Sequence, residues 1–239
     1  MANIIRSAKS SGDWCSNELM AYNIIVTAIA PEHFIPKVDL PAMRGLDLEL
    51  VSASLDADGV SDDTYRFLTY LHMATNTGQE TAIDDFAREV LRTIGFEERG
   101  LVLRTQHTIP LTICGDNKVA QIDVCLLDRQ STILLVVQND KTNFNPSLDL
   151  MEIPCITMIG TRPIFYLVPV TKALSDAVIT GQWAPVPTRV LKCVTVAGHN
   201  RRAREGMETP EYRKVALERF VAFNAVAKSH WKKFQIAQV

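Results

Sequence analysis

Five consecutive apolar residues, Ile133–Val137, restrict the fold of this chain more than any other feature of its sequence. A strand with one face in water alternates apolar and polar side chains, whereas this run is apolar on both faces. The run is also far too short to cross a membrane. We therefore predict a strand over Thr132–Gln138 in the middle of a sheet that is covered on both sides.

Other strand-like segments lie on both sides of this run. They are Leu101–Thr108, Ile109–Cys114 (a separate strand or a continuation of the first), Val119–Leu127, Ile153–Ile159, Ile164–Val170 and Arg189–Val196. Turn-forming residues separate several of them, at Gly115–Asn117, Asp128–Ser131 and Gly160–Pro163. The sequence thus predicts a sheet of at least six strands.

The clearest predicted helix is Thr81–Ile94, whose apolar residues recur every three to four positions. Thr81 and Asp84 resemble a capping box at its start, and Gly95 supplies a left-handed stop. We predict the other helices at Asp62–Met73, Lys172–Ile179 and Pro210–Phe234, with Glu18–Ile29 either a helix or a helix followed by a strand.

This order of elements predicts an α/β (or α+β) fold with a central mixed β-sheet flanked by helices. The length of 239 residues fits a single domain, 1–239. We expect a core over 14–195 that includes an irregular acidic segment, 31–63. Residues 196–239 then form a basic linker and a long C-terminal amphipathic helix.

Charge is unevenly distributed along the chain. From Lys192 onward, ten basic and four acidic residues give a net charge of +6, while the rest carries −8. A basic tail can guide a polyanion, so Arg201, Arg202 and Arg204 are candidate contacts to nucleic acid. The same charges can instead be solvated or pair with the acidic part of the protein. The basic residues alternate with apolar ones, as they do in an ordinary packed helix.

The spacing of the cysteines and the composition of the first residues indicate where in the cell the protein resides. The five cysteines are widely spaced and include no CxxC pair, which argues against a disulfide framework or a zinc site. Residues 1–14 lack the apolar region of a secretory signal. We expect an intracellular protein, cytoplasmic or nuclear, with no membrane partner; its oligomeric state is open.

The candidate chemistry lies at one end of a predicted hairpin. Asp123 interrupts an apolar strand, and a buried acid there requires an ion pair, hydrogen bonds or a metal. The hairpin returns the chain so that residues 139–141 come back beside Asp123. Alternation then puts Asn139 and Lys141 on one face of the strand and Asp140 on the other.

This arrangement resembles the PD-(D/E)XK nuclease motif. Residues 14–24, 80–95, 119–141 and 160–166 are also similar to an uncharacterised fungal protein family that is assigned to PD-(D/E)XK-like folds. The resemblance implies catalytic positions at Asp123, Asn139 and Lys141. It implies Mg²⁺ or Mn²⁺ held by Asp123, Asn139 or Asp140, with Glu80, or less favourably Asp84, as a further acid from the first core helix.

Two departures from the family pattern weaken that implication. The family usually reads Gln-Glu-Asp-Lys where this chain has Gln138-Asn139-Asp140-Lys141, so one anionic ligand is lost. Asp140 replaces it only if a bulge rotates its side chain inward. The family also has a long helix after the lysine, whereas only Thr142–Glu152 precedes the next predicted strand here.

Three functional hypotheses follow. The first is a degenerate PD-(D/E)XK-like protein, a pseudoenzyme with little or no phosphodiesterase activity and no required cofactor. The second is an active Mg²⁺- or Mn²⁺-dependent endonuclease that uses Asp123 and Lys141. The third is a non-enzymatic interaction protein that binds a partner, or a copy of itself, through the C-terminal helix.

Overall fold

The computed structural model describes residues 15–35, 48–76, 79–129, 133–138, 150–196 and 205–237. Their elements, in chain order, are α1 (Ser16–Ala21), β1 (Ile24–Ala28), α2 (Pro31–Phe34), α3 (Leu48–Ser52), α4 (Asp62–Asn76), α5 (Glu80–Thr93), β2 (Leu101–Ile113), β3 (Asp116–Asp128), β4 (Ile133–Gln138), β5 (Leu150–Ile159), β6 (Arg162–Thr171), α6 (Lys172–Thr180), β7 (Thr188–Val194) and α7 (Pro210–Ala237). None of the helices in these ranges is long and apolar enough to span a bilayer.

The seven strands form one mixed sheet in the order β1-β7-β6-β5-β4-β3-β2. The β1–β7 and β4–β5 pairs are parallel, and the other neighbours are antiparallel. β4 lies inside the sheet, with Leu135 and Val136 buried in clusters on opposite faces. The mixed sheet and its covered central strand, both predicted from the sequence, are confirmed.

Helices α3, α4, α5 and α7 cover one face of the sheet and bury the main core between them and the strands. Six of its phenylalanines are almost completely buried: Phe67, Phe86, Phe96, Phe165, Phe220 and Phe223. The opposite face, called the second face below, carries α1 and α6, whose residues Ala21 and Leu174 share a buried cluster with Leu111 of β2. The predicted flanking of the sheet by helices is therefore confirmed.

The C-terminal helix is a structural part of the main core. Its apolar residues recur at three and four positions and pack on β4, β5 and β6. Near its end, the indole Nε1 of Trp231 donates to the carbonyl oxygen of Leu134 at 2.6 Å. The long C-terminal amphipathic helix predicted from the sequence is confirmed.

Two predictions about turns and caps are wrong. The β2–β3 turn is Cys114-Gly115 and not Gly115–Asn117, because both residues adopt positive φ (+51° and +82°) and close a two-residue hairpin. Helix α5 begins at Glu80 after Gln79, which makes no side-chain cap. Thr81 therefore lies within the helix and is not its cap.

The acidic segment 31–63 is more ordered than predicted where it is described. Two short helices, α2 and α3, lie within it, and their residues Phe34 and Leu50 are buried in the main core. Burial of these side chains stabilises helices of four and five residues, which are too short to be stable by themselves. Residues 36–47 of the segment lie outside the described residues.

Candidate functional site

Asp123 lies in β3 opposite Gln106 of β2, at an irregular point of the sheet. Ladder pairs flank this point on both sides: Thr105 pairs with Val124, and His107 pairs with Ile122. Gln106 has a φ of +52°, a left-handed conformation that is uncommon for a residue other than glycine. Such a conformation costs about 1–3 kcal/mol and is concentrated at functional sites.

The direction of the side chains also changes at Asp123. Ile122 packs on the second face and Val124 packs in the main core, although residues two apart in a regular strand share a face. Strand β2 changes in the same way, since Leu103 lies in the main core and Leu111 on the second face. Both strands therefore have an irregularity here, and the half-buried Asp123 lies at its centre.

Asp84, in the second turn of α5, lies close enough to Asp123 for the charge of Asp123 to act on it. Partial burial is the main reason that the pKa of Asp84 rises from 3.8 to about 6. The charge of Asp123 is the next cause, followed by those of Asp85 and Glu80. Helix α5 packs on β2 and β3, and it thus places two carboxyl groups within electrostatic range of each other.

Glu80, which the family resemblance makes the preferred helix acid, is exposed in the first turn of α5. It lies one turn before Asp84, and its charge is the smallest of the causes that raise the pKa of Asp84. Of the two helix acids, the half-buried Asp84 is thus the one on which an effect of the charge of Asp123 is resolved, while Glu80 is exposed. Sequence spacing alone does not tell which turn of the helix meets the strand.

The hairpin that returns the chain toward Asp123 is confirmed up to Gln138. Strands β3 and β4 are antiparallel, and the pair Val124–Val137 puts the backbone of Gln138 level with Asp123. Asn139, Asp140 and Lys141, the other predicted site residues of this hairpin, lie outside the described residues. β5 begins at Leu150, three residues earlier than predicted, and it pairs with β4 in parallel.

Among the described residues, Asp84 and Asp123 have carboxyl groups whose oxygens could bind a hard divalent cation. Carboxylate oxygens are the side-chain ligands that Mg²⁺ prefers, and one or two of them suffice when a phosphate completes the shell. Nowhere in the described ranges do three or more His, Cys, Asp or Glu side chains form a group that could hold a metal ion.

Several basic residues of the C-terminal segment contact the protein itself. Arg213 is fully buried, Lys228 approaches Glu98 at 3.5 Å, and the ammonium of Lys192 lies 5.9 Å from the ring centroid of Tyr166. The predicted nucleic-acid contacts Arg201, Arg202 and Arg204 lie outside the described residues.

No protein-family model matches this chain, and no curated protein sequence matches it either.

Proposed function

We propose that this protein is a PD-(D/E)XK nuclease-like protein that keeps an acidic cation site but cleaves phosphodiesters weakly or not at all. The observation that carries the proposal is the electrostatic proximity of Asp84, on α5, to Asp123, at the irregular point of β3. The end of β4 lies level with Asp123, and the chain continues from it into Asn139 and Lys141.

The cation would be Mg²⁺ or Mn²⁺, held by Asp84 and Asp123. Such an ion neutralises charge on a scissile phosphate and lowers the pKa of a bound water. A cation would offset the burial and the neighbouring negative charges that hold the pKa of Asp84 near 6, because it favours the ionised form of that carboxyl group.

Asn139 is the reason to propose weak or absent cleavage. Its amide offers a neutral oxygen where the family pattern has a carboxylate, so the site has less negative charge with which to bind Mg²⁺. The acidic character of the chain before Lys192 also opposes the approach of a polyanionic nucleic acid. Both features favour a degenerate nuclease, in which the fold serves binding.

An active endonuclease is the second candidate, and Asp84 is the observation that favours it. With Asp84 as the second carboxylate, Asp123 does not depend on Asn139 for a partner. Lys141 would then add positive charge where negative charge develops in the transition state.

A partner-binding role for the apolar face of α7 has less support. The apolar side chains of α7 up to Trp231 that would contact a partner, among them Phe220, Phe223 and Ala227, are buried in the protein's own main core. A partner could use this face only by displacing the helix from the sheet.

A cleavage assay on single- and double-stranded DNA and RNA in Mn²⁺ tests the proposal. Four proteins are compared: the natural chain, Asp123→Ala, Asp84→Asn and Asn139→Glu. We expect slow or undetectable cleavage by the natural chain and clear cleavage by Asn139→Glu. Circular dichroism spectra confirm that each variant is folded.

The outcomes separate the candidates. Efficient cleavage by the natural chain that is lost in both Asp123→Ala and Asp84→Asn would establish an active enzyme. If none of the four folded proteins cleaves any substrate, and calorimetry detects no binding of Mn²⁺, the nuclease-like proposal is overturned. Binding of Mn²⁺ by the natural chain, reduced at least about tenfold in Asp84→Asn, would support the cation site whether or not cleavage occurs.

A further inference from the structure

Strand β1 ends the sheet with an unpaired edge. Within the described ranges it pairs only with β7, in parallel. Just outside β1, the Asn23 carbonyl accepts from the Thr188 amide at 2.9 Å, and the Ile29 amide donates to the Lys192 carbonyl at 2.8 Å. These odd-numbered positions bond toward β7, so alternation directs the amides and carbonyls of the even-numbered residues Ile24, Val26 and Ala28 outward.

The composition of β1 offers none of the usual protection against edge-to-edge pairing. The strand contains no charged residue, proline or glycine, and the side chains of Ile25 and Val26 are 41% and 42% exposed. Natural edge strands are typically protected by lysine, proline or a local irregularity. The opposite edge strand, β2, has such features in Arg104, the left-handed Gln106 and Pro110.

Independently of the proposed function, we propose that β1 pairs antiparallel with β1 of a second copy of this chain, about a two-fold axis at Val26. In that register Val26 faces Val26 of the second copy, and Ile24 faces Ala28 of the second copy. Each facing pair is of the type that exchanges two hydrogen bonds. All the outward amides and carbonyls of Ile24, Val26 and Ala28 are therefore satisfied at once.

The partner is a second copy because the edge is self-complementary. Centring the pairing on an even-numbered residue matches outward groups with outward groups, which a two-fold interface requires. Two apolar side chains near this strand in the chain or in the sheet are also exposed: Met20, on α1, and Val186, two residues before Thr188, which pairs with Ile24.

The area available sets the expected strength. A stable interface buries about 800 Å² on each partner, more than one five-residue strand provides. The flanking apolar side chains add to that area but leave the contact small. We therefore expect a reversible dimer with a dissociation constant in the micromolar range.

Sedimentation velocity of the full chain across the micromolar range tests the proposal. In the proposed register the two Val26 side chains face each other, so Val26→Lys alone or Val26→Glu alone places like charges in contact. We expect each variant to weaken dimerisation by about tenfold or more. A mixture of Val26→Lys and Val26→Glu should form a heterodimer, because the facing charges are then opposite.

Val102→Lys is the matched control, since Val102 is an exposed apolar residue on the opposite edge strand. It should dimerise like the natural chain. A natural chain that stays monomeric throughout this range would overturn the proposal. So would a dimer that Val26→Lys does not weaken, or charged variants that fail to associate when mixed although both are folded.

Discussion

At the scale of single residues, Asp84 links the candidate site to stability. Its pKa in the folded protein is about 6, above the ordinary value of 3.8, because of burial and the neighbouring acids. A raised carboxyl pKa means that folding favours the protonated form. The free energy of unfolding therefore falls as pH rises from 3.8 to about 6, and this loss is complete above that range.

We predict that Asp84→Asn removes this pH dependence. After allowance for solvent screening of a half-buried group, the variant should be about 1–2 kcal/mol more stable than the natural chain at pH 8 and nearly equal to it at pH 4. Urea unfolding at both pH values measures the difference. Asp85→Asn is the control: this neighbour is exposed, so its substitution should give a smaller gain. An equal gain in both variants would contradict the assignment of the effect to Asp84.

Gln106 tests whether the irregular point of the sheet is strained. We predict that Gln106→Val destabilises the protein by about 1–3 kcal/mol, because a β-branched residue tolerates its positive φ poorly. Gln106→Gly should be neutral or stabilising, since glycine adopts this conformation freely. Thr108→Val, at an exposed position of the same strand, controls for β-propensity and should not destabilise. Thermal unfolding of the three variants gives the comparison; equal effects of Gly and Val at position 106 would rule out strain.

Among the secondary-structure elements, the positions of the strands could be predicted from the sequence, but the irregular point at Gln106 and Asp123 could not. The apolar run of β4 and the turn residues between strands report burial and chain reversal directly. The irregular point at Gln106 leaves no such signal, because Leu101, Leu103, Leu111 and Ile113 keep the odd-numbered spacing of one continuous face. The structure divides these four residues between the two faces of the sheet.

The same limit applies to the candidate site. Asp123 could be predicted because an acid in an apolar strand is conspicuous, and the hairpin pattern located the end of β4 beside it. Glu80 and Asp84 are four residues apart and share one face of α5, so the choice between them depends on which turn of the helix lies over Asp123. That position follows from the packing of Phe86 and Val90 in the main core, which no local pattern encodes.

Helix α7 yields a prediction at this scale, because its apolar face belongs to the core. Phe223 is fully buried, and the centroid of its ring lies 4.9 Å from the ring centroid of Phe165 and 6.2 Å from that of Phe34. We predict that Phe223→Ala lowers the free energy of unfolding by about 3–5 kcal/mol. Ala225→Lys, on the exposed side of the helix, should change it by less than about 0.5 kcal/mol. Urea denaturation measures both; a small loss in Phe223→Ala would show that α7 docks only loosely.

At the scale of the whole molecule, one buried cation joins distant parts of the chain. The guanidinium of Arg213, in α7, donates to the carbonyl oxygens of Leu50 and Ala53 at 3.0 and 2.9 Å, more than 150 residues away in sequence. It also donates to the carbonyls of Met207 and Glu208 at 2.9 and 3.4 Å. The end of α3, the turn before α7 and α7 itself are thus held by a single side chain.

We predict that Arg213→Met destabilises the whole molecule and not α7 alone. The substitution leaves several buried carbonyls without a donor, and each unsatisfied group costs about 1–3 kcal/mol. Lys214→Met, the matched replacement of the exposed neighbour, should have almost no effect. Because α3 and α7 share the main core with the sheet, tryptophan fluorescence and far-ultraviolet circular dichroism should report one coincident unfolding transition, shifted to lower urea in Arg213→Met. Separate transitions for the two signals would mean that α7 and the sheet unfold independently, and that Arg213 secures only its own helix.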